Sequence, residues 1–261
     1  MSAEPPDPTV GDRPRFSLII PAWNEQAYLP RLLDTVDVAR ERYHGSADAV
    51  EVIVADNAST DRTGEIARDR GCRVAQVELR RIAAARNGGA AIARGEILCF
   101  VDADFRIHPE TFNAIDRELA TGRFIGGATG IQFERWSLGI AVSAALILPP
   151  LRMLGMDGGV WFCRREDFDE AGGYDERLLF SEDVRFLWAL RKLGRRRKPV
   201  QKLTRGGAAG PRAPAIASLR KFDKHGDWHF LRDMIRLPFW LVFAPGRFSK
   251  AVHEYWYEDD R

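Results

Sequence analysis

The fold is decided by the stretch Gly95-Glu96-Ile97-Leu98-Cys99-Phe100-Val101-Asp102-Ala103-Asp104. Its central residues, Ile97 to Val101, are all apolar, which indicates a strand buried on both faces of a parallel sheet. Two carboxylates follow at once, on Asp102 and Asp104. In open α/β sheets, ligands bind beyond the carboxyl ends of the strands. This strand end is therefore a candidate site, and its paired hard oxygen ligands predict Mg²⁺ or Mn²⁺.

Apolar runs alternate with helical patterns on the N-terminal side of this strand. Strands are predicted at 16–20, 50–55 and 73–77, and helices at 28–43 and 82–94. Such alternation is typical of parallel strands joined by crossover helices, a Rossmann-like α/β architecture. The first strand leads into Asn24 and Glu25, and the second into Asp56. Three acidic strand ends are therefore expected at one edge of a mostly parallel sheet.

The C-terminal side is less regular. It predicts a strand at 160–163 and a helix from Ser181 to Gly194 with apolar residues at helical spacing. We expect a smaller second region here and a C-terminal helical segment after it. The predicted organisation is a disordered tail at 1–15, one domain at 16–204 with halves 16–108 and 109–204, and a flexible loop with a helical extension at 205–261.

Composition excludes several classes of protein. The 261 residues carry 39 basic and 37 acidic side chains, too balanced for a chain whose main partner is nucleic acid. Its three cysteines lack CxxC spacing, so neither a disulfide framework nor a structural zinc site is expected, and a reducing, cytoplasmic location fits best. The longest apolar stretch, 138–151, falls short of the roughly 20 residues that cross a bilayer.

An ordered set of motifs then gives a resemblance. The set comprises Pro21-Ala22-Trp23-Asn24-Glu25, Val54-Ala55-Asp56-Asn57-Ala58-Ser59-Thr60-Asp61, Ala85-Arg86-Asn87-Gly88-Gly89 and the stretch 95–104. In order and spacing it resembles the family 2 glycosyltransferases with the GT-A fold. Gly172 to Glu176 and Ser181 to Asp183 are similar to that family's acceptor-side motifs. The resemblance covers Phe16 to Gly194.

The resemblance implies a metal-dependent, inverting transfer of a sugar from a nucleotide diphosphate donor, with a UDP-sugar favoured. Asp183 would be the catalytic base, and Glu182 beside it a second catalytic residue. The acceptor stays open among a saccharide, a lipid-linked molecule, a peptide and a small molecule. Donor-binding residues would be Pro21, Asn24, Glu25, Asp56, Arg86 and Asp102, with Asp102 and Asp104 at the metal.

Several of these residues also have structural interpretations. Glu25 suits the first turn of a helix, and Glu182 and Asp183 suit a helix N-terminus, where the dipole favours their charge. Arg86 has three interpretations: it contacts a phosphate, it pairs with Asp56, or it lies on a solvated helix face.

The acceptor side carries the same ambiguity. The glycine pair Gly158-Gly159 would let the backbone approach a bound sugar. Trp161 suits either stacking on an acceptor or the core, and the core is favoured.

Two further features lie near the C-terminus. After a Gly/Pro segment, Arg220 would reach the diphosphate and His225 would be a third metal ligand, or both would be packed surface residues. The run from Phe230 to Trp256 interleaves aromatic and basic residues. It suits peripheral membrane contact or a lipid-linked acceptor, and also an ordinary docking helix, which is favoured.

Two other functions remain as alternatives. A nucleotidyltransferase would place a glycine-rich, basic phosphate loop after the first strand, where this chain has Pro21 to Glu25. A catalytically silent nucleotide-sugar binding subunit would keep the same motifs without turnover.

Overall fold

The computed structural model describes residues 13–153, 157–178, 181–204, 212–229 and 231. Elements of the first half are β1 Phe16–Ala22, α1 Leu29–Glu41, a 3₁₀ turn at Ala47–Ala49, β2 Val50–Asp56, α2 Thr63–Asp69, β3 Arg73–Gln76, α3 Ile82–Ile92 and β4 Ile97–Phe100. Those of the second half are α4 Thr111–Ala120, β5 Phe124–Ala128, β6 Ile131–Phe133, α5 Leu138–Met153, β7 Trp161–Arg164, α6 Arg165–Ala171, α7 Glu182–Arg196, β8 Lys202–Thr204, β9 Ala215–Ala217 and α8 Arg220–His225.

A seven-stranded sheet forms the centre, in the order β3-β2-β1-β4-β7-β5-β8. All of these strands run in the same direction except β7, which is antiparallel to both of its neighbours. The predicted mostly parallel sheet flanked by helices is therefore confirmed. A separate pair of short strands, β6 and β9, lies outside it.

Apolar side chains of the central strands pack on both faces. One cluster joins Phe16, Leu18 and Ile20 of β1 with residues of α1 and α4, and a second joins Ile19 with residues of α3, α6 and α7. Adjacent residues of a strand point to opposite faces of a sheet. Two buried faces account for the nearly continuous apolar runs of β1, β2 and β4.

Helix α3 lies unusually close to this sheet because it has glycines where it meets the strands. A methyl group built on Gly89 would overlap Cγ2 of Ile19, and one built on Gly88 would lie 2.6 Å from Cγ2 of Val77. The small residues of this helix allow the close approach, and it brings Arg86 of the same helix to the edge of the sheet.

The structure differs from the sequence-based expectation at two places. The strand predicted at 160–163 is antiparallel, a direction that its apolar composition did not reveal. Pro14 and Arg15, assigned to the disordered tail, are packed. The Pro14 carbonyl accepts from the N–H of Glu96, and the Arg15 side chain pairs with Asp116 and Glu96.

Other expectations fall partly outside the described residues. These are the tail at 1–12, the loop at 205–211 and the run from 230 onward, apart from residue 231. Within the described ranges no helix has both the length and the apolar character to cross a membrane. Cys72, Cys99 and Cys163 are free thiols, as expected.

We predict that Gly89→Ala destabilises the fold by about 1–3 kcal/mol, because the added methyl group overpacks against Ile19. Helix propensity alone would give the opposite sign, a gain of up to about 1 kcal/mol. Urea unfolding followed by circular dichroism measures the change. As a control, Ala91→Gly on the exposed face of α3 should lose about 1 kcal/mol through propensity alone. A stabilised Gly89→Ala variant would contradict the packing described here.

Candidate active site

The site lies at the edge where β1, β2 and β4 end. These three strands are parallel neighbours, so their carboxyl ends meet there. The loops that follow are joined across strands, since the N–H of Asn57 donates to the carbonyl of Ala22 at 2.8 Å. The convergence of acidic strand ends expected from the sequence is therefore found.

One buried arginine links β4 to α7 at this edge. Arg86 Nη1 donates to Glu182 Oε1 at 2.8 Å, and its Nη2 lies 3.3 Å from Asp102 Oδ1. The side chains of Arg86 and Glu182 are only 6% and 7% exposed, whereas that of Asp102 is 46% exposed. The Arg86 guanidinium also lies over the Tyr174 ring, 5.1 Å from its centroid. Arg86 thus pairs with Asp102 and Glu182 rather than with Asp56, one of the partners considered from the sequence.

Burial and charge act against each other in this cluster. Desolvation disfavours the charged form of Arg86, but Tyr174 and the surrounding carboxylates outweigh it and raise its pKa. Desolvation likewise raises the pKa of Glu182, while Arg86 acts to lower it and the neighbouring Asp183 to raise it. Each buried charge is therefore stable only while its partner is present.

A second arginine links the end of β1 to the end of β4. Arg220, the first residue of α8, donates to both carboxylate oxygens of Glu25 at 2.9 and 3.1 Å, and its Nε lies 3.0 Å from Asp104 Oδ2. Its side chain is 17% exposed, and Glu25 is buried. Burial acts to lower the pKa of Arg220, but Asp104 and Glu25 raise it overall. Arg220 thus lies at the edge where β1 and β4 end, and its contact with a diphosphate stays a prediction.

The two acidic residues at the start of α7 lie in different environments. Glu182 is buried and engaged by Arg86, whereas Asp183 is half-buried. Ser181 precedes the helix with a φ of 64°, and its side chain makes no capping hydrogen bond. Asp183 is therefore the more exposed residue of this pair.

The loops after β1 and β2 hold each other in place. Ser59 Oγ accepts from the N–H of Asn24, and Asn24 Oδ1 accepts from the N–H of Thr60 at 2.8 Å. Asp61 accepts from the N–H of Thr63, the first residue of α2. The hydroxyl of Thr63 accepts from the N–H of Glu25 at 2.8 Å. These bonds fix Glu25 at the strand edge.

Asp56 is buried at the end of β2, where its Oδ1 accepts from the N–H of Ser59 at 3.0 Å. Gln76 Nε2 lies 3.4 Å from its other oxygen. The carboxylate thus shapes the loop after β2, and its contact with a donor stays a prediction, as does that of the buried Pro21 in β1.

Backbone strain is concentrated at the same edge. Among the described residues, three that are not glycine have positive φ, namely Asn24 at 52°, Ala58 at 60° and Ser181 at 64°. All three lie in loops that border the site. Such conformations cost of order 1–3 kcal/mol each and occur preferentially where a site constrains the chain.

The three expected acceptor-side residues have structural roles of their own. A methyl group on Gly159, whose φ is 97°, would overlap the carbonyl of Gly130, and one on Gly158 would lie 2.7 Å from Ile131 Cγ2. Close packing against the β5–β6 segment therefore accounts for both glycines. Trp161 pairs with Phe100 across β4 and β7 and packs against the second core cluster. Contact of these residues with an acceptor stays a prediction.

The residues at the end of β4 suit a divalent cation. Five carboxylates, those of Glu25, Asp102, Asp104, Glu182 and Asp183, surround the two guanidinium groups and leave excess negative charge. Carboxylate oxygens are the ligands that Mg²⁺ and Mn²⁺ prefer, and such ions need only one or two from the protein. No group of three or more His, Cys, Asp or Glu side chains in the described ranges is arranged to hold a metal. His225 is exposed at the end of α8, and its role as a ligand stays a prediction.

Three contacts at this edge were not predictable from the sequence. Tyr174 lies under Arg86, and Asn87 holds Tyr174 in place by accepting from its N–H and donating to its carbonyl, both at 2.9 Å. Arg80 lies over the Trp23 ring, 3.8 Å from its centroid. Trp23, Asn87 and Tyr174 all belong to the quoted motifs, but nothing in their spacing indicated these contacts.

Comparison with solved structures defines the class of fold. The structure aligns with a mannosyltransferase from Pyrobaculum calidifontis in complex with GDP-Man and Mn²⁺, with a TM-score of 0.57, 21% identity and coverage of 74% of this chain and 55% of that one. It aligns with glucosyl-3-phosphoglycerate synthase from Mycobacterium tuberculosis in complex with Mn²⁺, UDP and phosphoglyceric acid, with a TM-score of 0.54, 22% identity and coverage of 84% and 75%. The chain has the GT-A fold of these glycosyltransferases.

Sequence comparison gives a family match over part of the chain. Residues 17–143 match the family described as glycosyl transferase family 2. It is 34% identical over 108 residues to a validoxylamine A glucosyltransferase of Streptomyces hygroscopicus subsp. limoneus, covering 39% of this chain and 23% of the relative. It is 30% identical over 124 residues to a dolichyl-phosphate beta-glucosyltransferase of Trichomonas vaginalis, covering 44% and 38%. The chain thus matches well under half the length of these relatives.

We predict that Arg86→Met destabilises the protein by about 3–5 kcal/mol at pH 7, because it leaves Glu182 buried without its cation. The destabilisation should be smaller at pH 5. Burial holds the folded-state pKa of Glu182 above its unfolded value, so the folded state binds the proton more tightly and stability falls as pH rises through that interval. Arg86 acts to lower the folded-state pKa of Glu182. Removing Arg86 therefore widens the pH range, between the unfolded and folded pKa values, over which stability is lost.

Urea unfolding at both pH values measures this difference. Arg117→Met, on the exposed face of α4, is the matched control and should change stability by no more than about 0.5 kcal/mol. A cost at Arg86 that is small, or that grows toward pH 5, would contradict the assignment.

Proposed function

We propose that this chain is a metal-dependent, inverting glycosyltransferase that moves a sugar from a nucleotide diphosphate donor to an acceptor hydroxyl. A UDP-sugar is the first donor to test. The observation that carries the proposal is the arrangement at the end of β4, where Asp102 contacts the buried Arg86 and Asp104 contacts Arg220, which is 17% exposed. The matched family and the Mn²⁺ and nucleotide named for the two solved structures support it.

On the donor side, loops after β1 and β2 would hold the nucleoside. Glu25 and Asp56 are buried acceptors there, which suits the donors of a base or ribose. Asp102 and Asp104 would hold Mn²⁺ or Mg²⁺, which supplies positive charge to the departing diphosphate. Arg220 would pass from Glu25 and Asp104 to the diphosphate, because a guanidinium suits phosphate oxygens as well as carboxylates.

On the acceptor side, Asp183 would be the general base. Its carboxylate would take the acceptor proton as the acceptor oxygen attacks the anomeric carbon, while the bond from that carbon to the diphosphate oxygen breaks. Glu182 would be a positioning residue, since it is buried and engaged by Arg86. This division refines the expectation that both carboxylates are catalytic.

We predict that Asp104→Asn weakens Mn²⁺-dependent binding of UDP at least about tenfold, which corresponds to about 1.4 kcal/mol. Its physical reason is the loss of one of two charged ligands to the cation. Calorimetric titration with UDP, with and without Mn²⁺, measures the effect. Asp69→Asn, at the exposed end of α2, is the control and should bind as the unaltered protein does. If Mn²⁺ has no effect on UDP binding by the unaltered chain, the metal assignment is wrong.

We predict that Asp183→Asn lowers kcat by about 10²–10⁴-fold, the usual contribution of a general base. Binding of the donor should be unchanged, because Asp183 faces the acceptor in this proposal. Hydrolysis of a UDP-sugar to free sugar serves as the assay until an acceptor is known. Full activity in this variant would remove Asp183 from the role of base.

The same assay separates the alternative functions. A catalytically silent subunit would bind the donor and release no sugar, and a nucleotidyltransferase would transfer the nucleotide rather than the sugar. Mass spectrometry of the products therefore decides among the three.

A further inference from the structure

Helix α5 has an exposed face that is entirely apolar. Positions 138, 142, 145, 146 and 149 lie on one side of the helix at i, i+4, i+7, i+8 and i+11. Leu, Val, Ala, Leu and Pro occupy them. Leu138 is 73% exposed and Leu146 is 52% exposed. Helices that are apolar all round are normally buried, so this face indicates a contact with an apolar phase or partner.

Two exposed tryptophans lie at the N-terminal end of this face. Trp136 is 61% exposed, and its ring meets Phe133 edge-on at 5.3 Å. Trp228 is 52% exposed and follows Asp227, whose carbonyl oxygen would lie 2.7 Å from a methyl group on Gly139. Leu138, Leu146, Trp136 and Trp228 are called the apolar patch below. Tryptophan is enriched where an apolar phase meets water, which favours a membrane surface over a protein core.

Positive charge adjoins the apolar patch. The start of α5 packs against α8, since Ile140 clusters with Leu219 and Phe222. Helix α8 carries Lys221, Asp223 and Lys224, and Arg135 pairs with both Asp223 and Asp227. Three cations, those of Arg135, Lys221 and Lys224, therefore face two carboxylates there. Basic residues beside an apolar surface suit an anionic bilayer.

We propose that the apolar patch is a docking surface for an anionic lipid bilayer. Docking there orients the candidate site toward the membrane, because α8 also carries Arg220, which contacts Glu25 and Asp104. The acceptor is then a hydroxyl or phosphate group on a lipid anchored in that bilayer. This last step deepens the function proposed above and rests on it, whereas the docking surface does not.

The experiment is co-sedimentation of the full chain with vesicles of phosphatidylcholine, alone or with 30% phosphatidylglycerol, at 0.15 M salt. We expect partition into the anionic vesicles and at least a tenfold lower partition coefficient for the double variant Leu138→Glu/Leu146→Glu. The matched control is Trp188→Glu, which alters a 60% exposed aromatic residue on α7 and should partition as the unaltered chain does. Both changes are at exposed positions, and thermal melting checks that each variant is folded.

Three outcomes overturn the proposal: no binding of the unaltered chain, equal binding by the double variant, and a loss by Trp188→Glu as large as that of the double variant. If the unaltered chain does not bind vesicles, the mass of the double variant by light scattering and its Tm show what the face contacts instead. A change in mass would assign the face to a second copy of the chain, and a fall in Tm would assign it to contacts within the chain.

Calorimetry with UDP and Mn²⁺, run on the same samples, keeps the two proposals apart. Vesicle binding without nucleotide binding refutes the proposed function and leaves the docking surface standing. Nucleotide binding without vesicle binding refutes the docking surface and leaves the proposed function standing.

Discussion

The ion pair between Arg86 and Glu182 is the interaction on which the site depends. It joins α3, on the N-terminal half of the fold, to α7, on the C-terminal half, through two side chains that are almost wholly buried. A buried charge without a partner costs several kcal/mol, so neither group is stable there alone. The pair therefore fixes where α7 begins, and Asp183, the next residue, takes its position from it. Asp102 extends the same contact to the end of β4.

The glycines of α3 make this ion pair possible. A guanidinium reaches Glu182 from α3 only because the helix approaches the sheet closely, and Gly88 and Gly89 permit that approach. The cost of the constrained geometry is visible in the loops, where Asn24, Ala58 and Ser181 adopt positive φ. The packed core makes this strain possible, because a rigid sheet holds the loops in conformations that they would not adopt alone.

Arg220 connects the candidate site to helix α8. It neutralises Glu25 and Asp104 at the place where a divalent cation and a diphosphate are proposed to bind. A guanidinium can exchange a carboxylate for a phosphate without losing its hydrogen bonds, because both present oxygens to its planar fork. The same residue begins α8, which packs against the exposed apolar helix. Ligand binding and the proposed contact with a bilayer are therefore joined through one short element.

The local chemistry of the chain was readable from its sequence. Apolar runs of four to six residues ending in Asp56 or Asp102 indicate buried parallel strands with polar ends, and the order of the motifs indicates the family. Strands that are buried on both faces must be apolar at nearly every position, so their sequences are easily recognised. Only the tertiary structure decided the direction of β7, the partners of Arg86 and the exposure of α5. Those depend on which distant segments meet, and an arginine between several carboxylates, or an apolar helix with one open face, looks the same in sequence whichever neighbours it has.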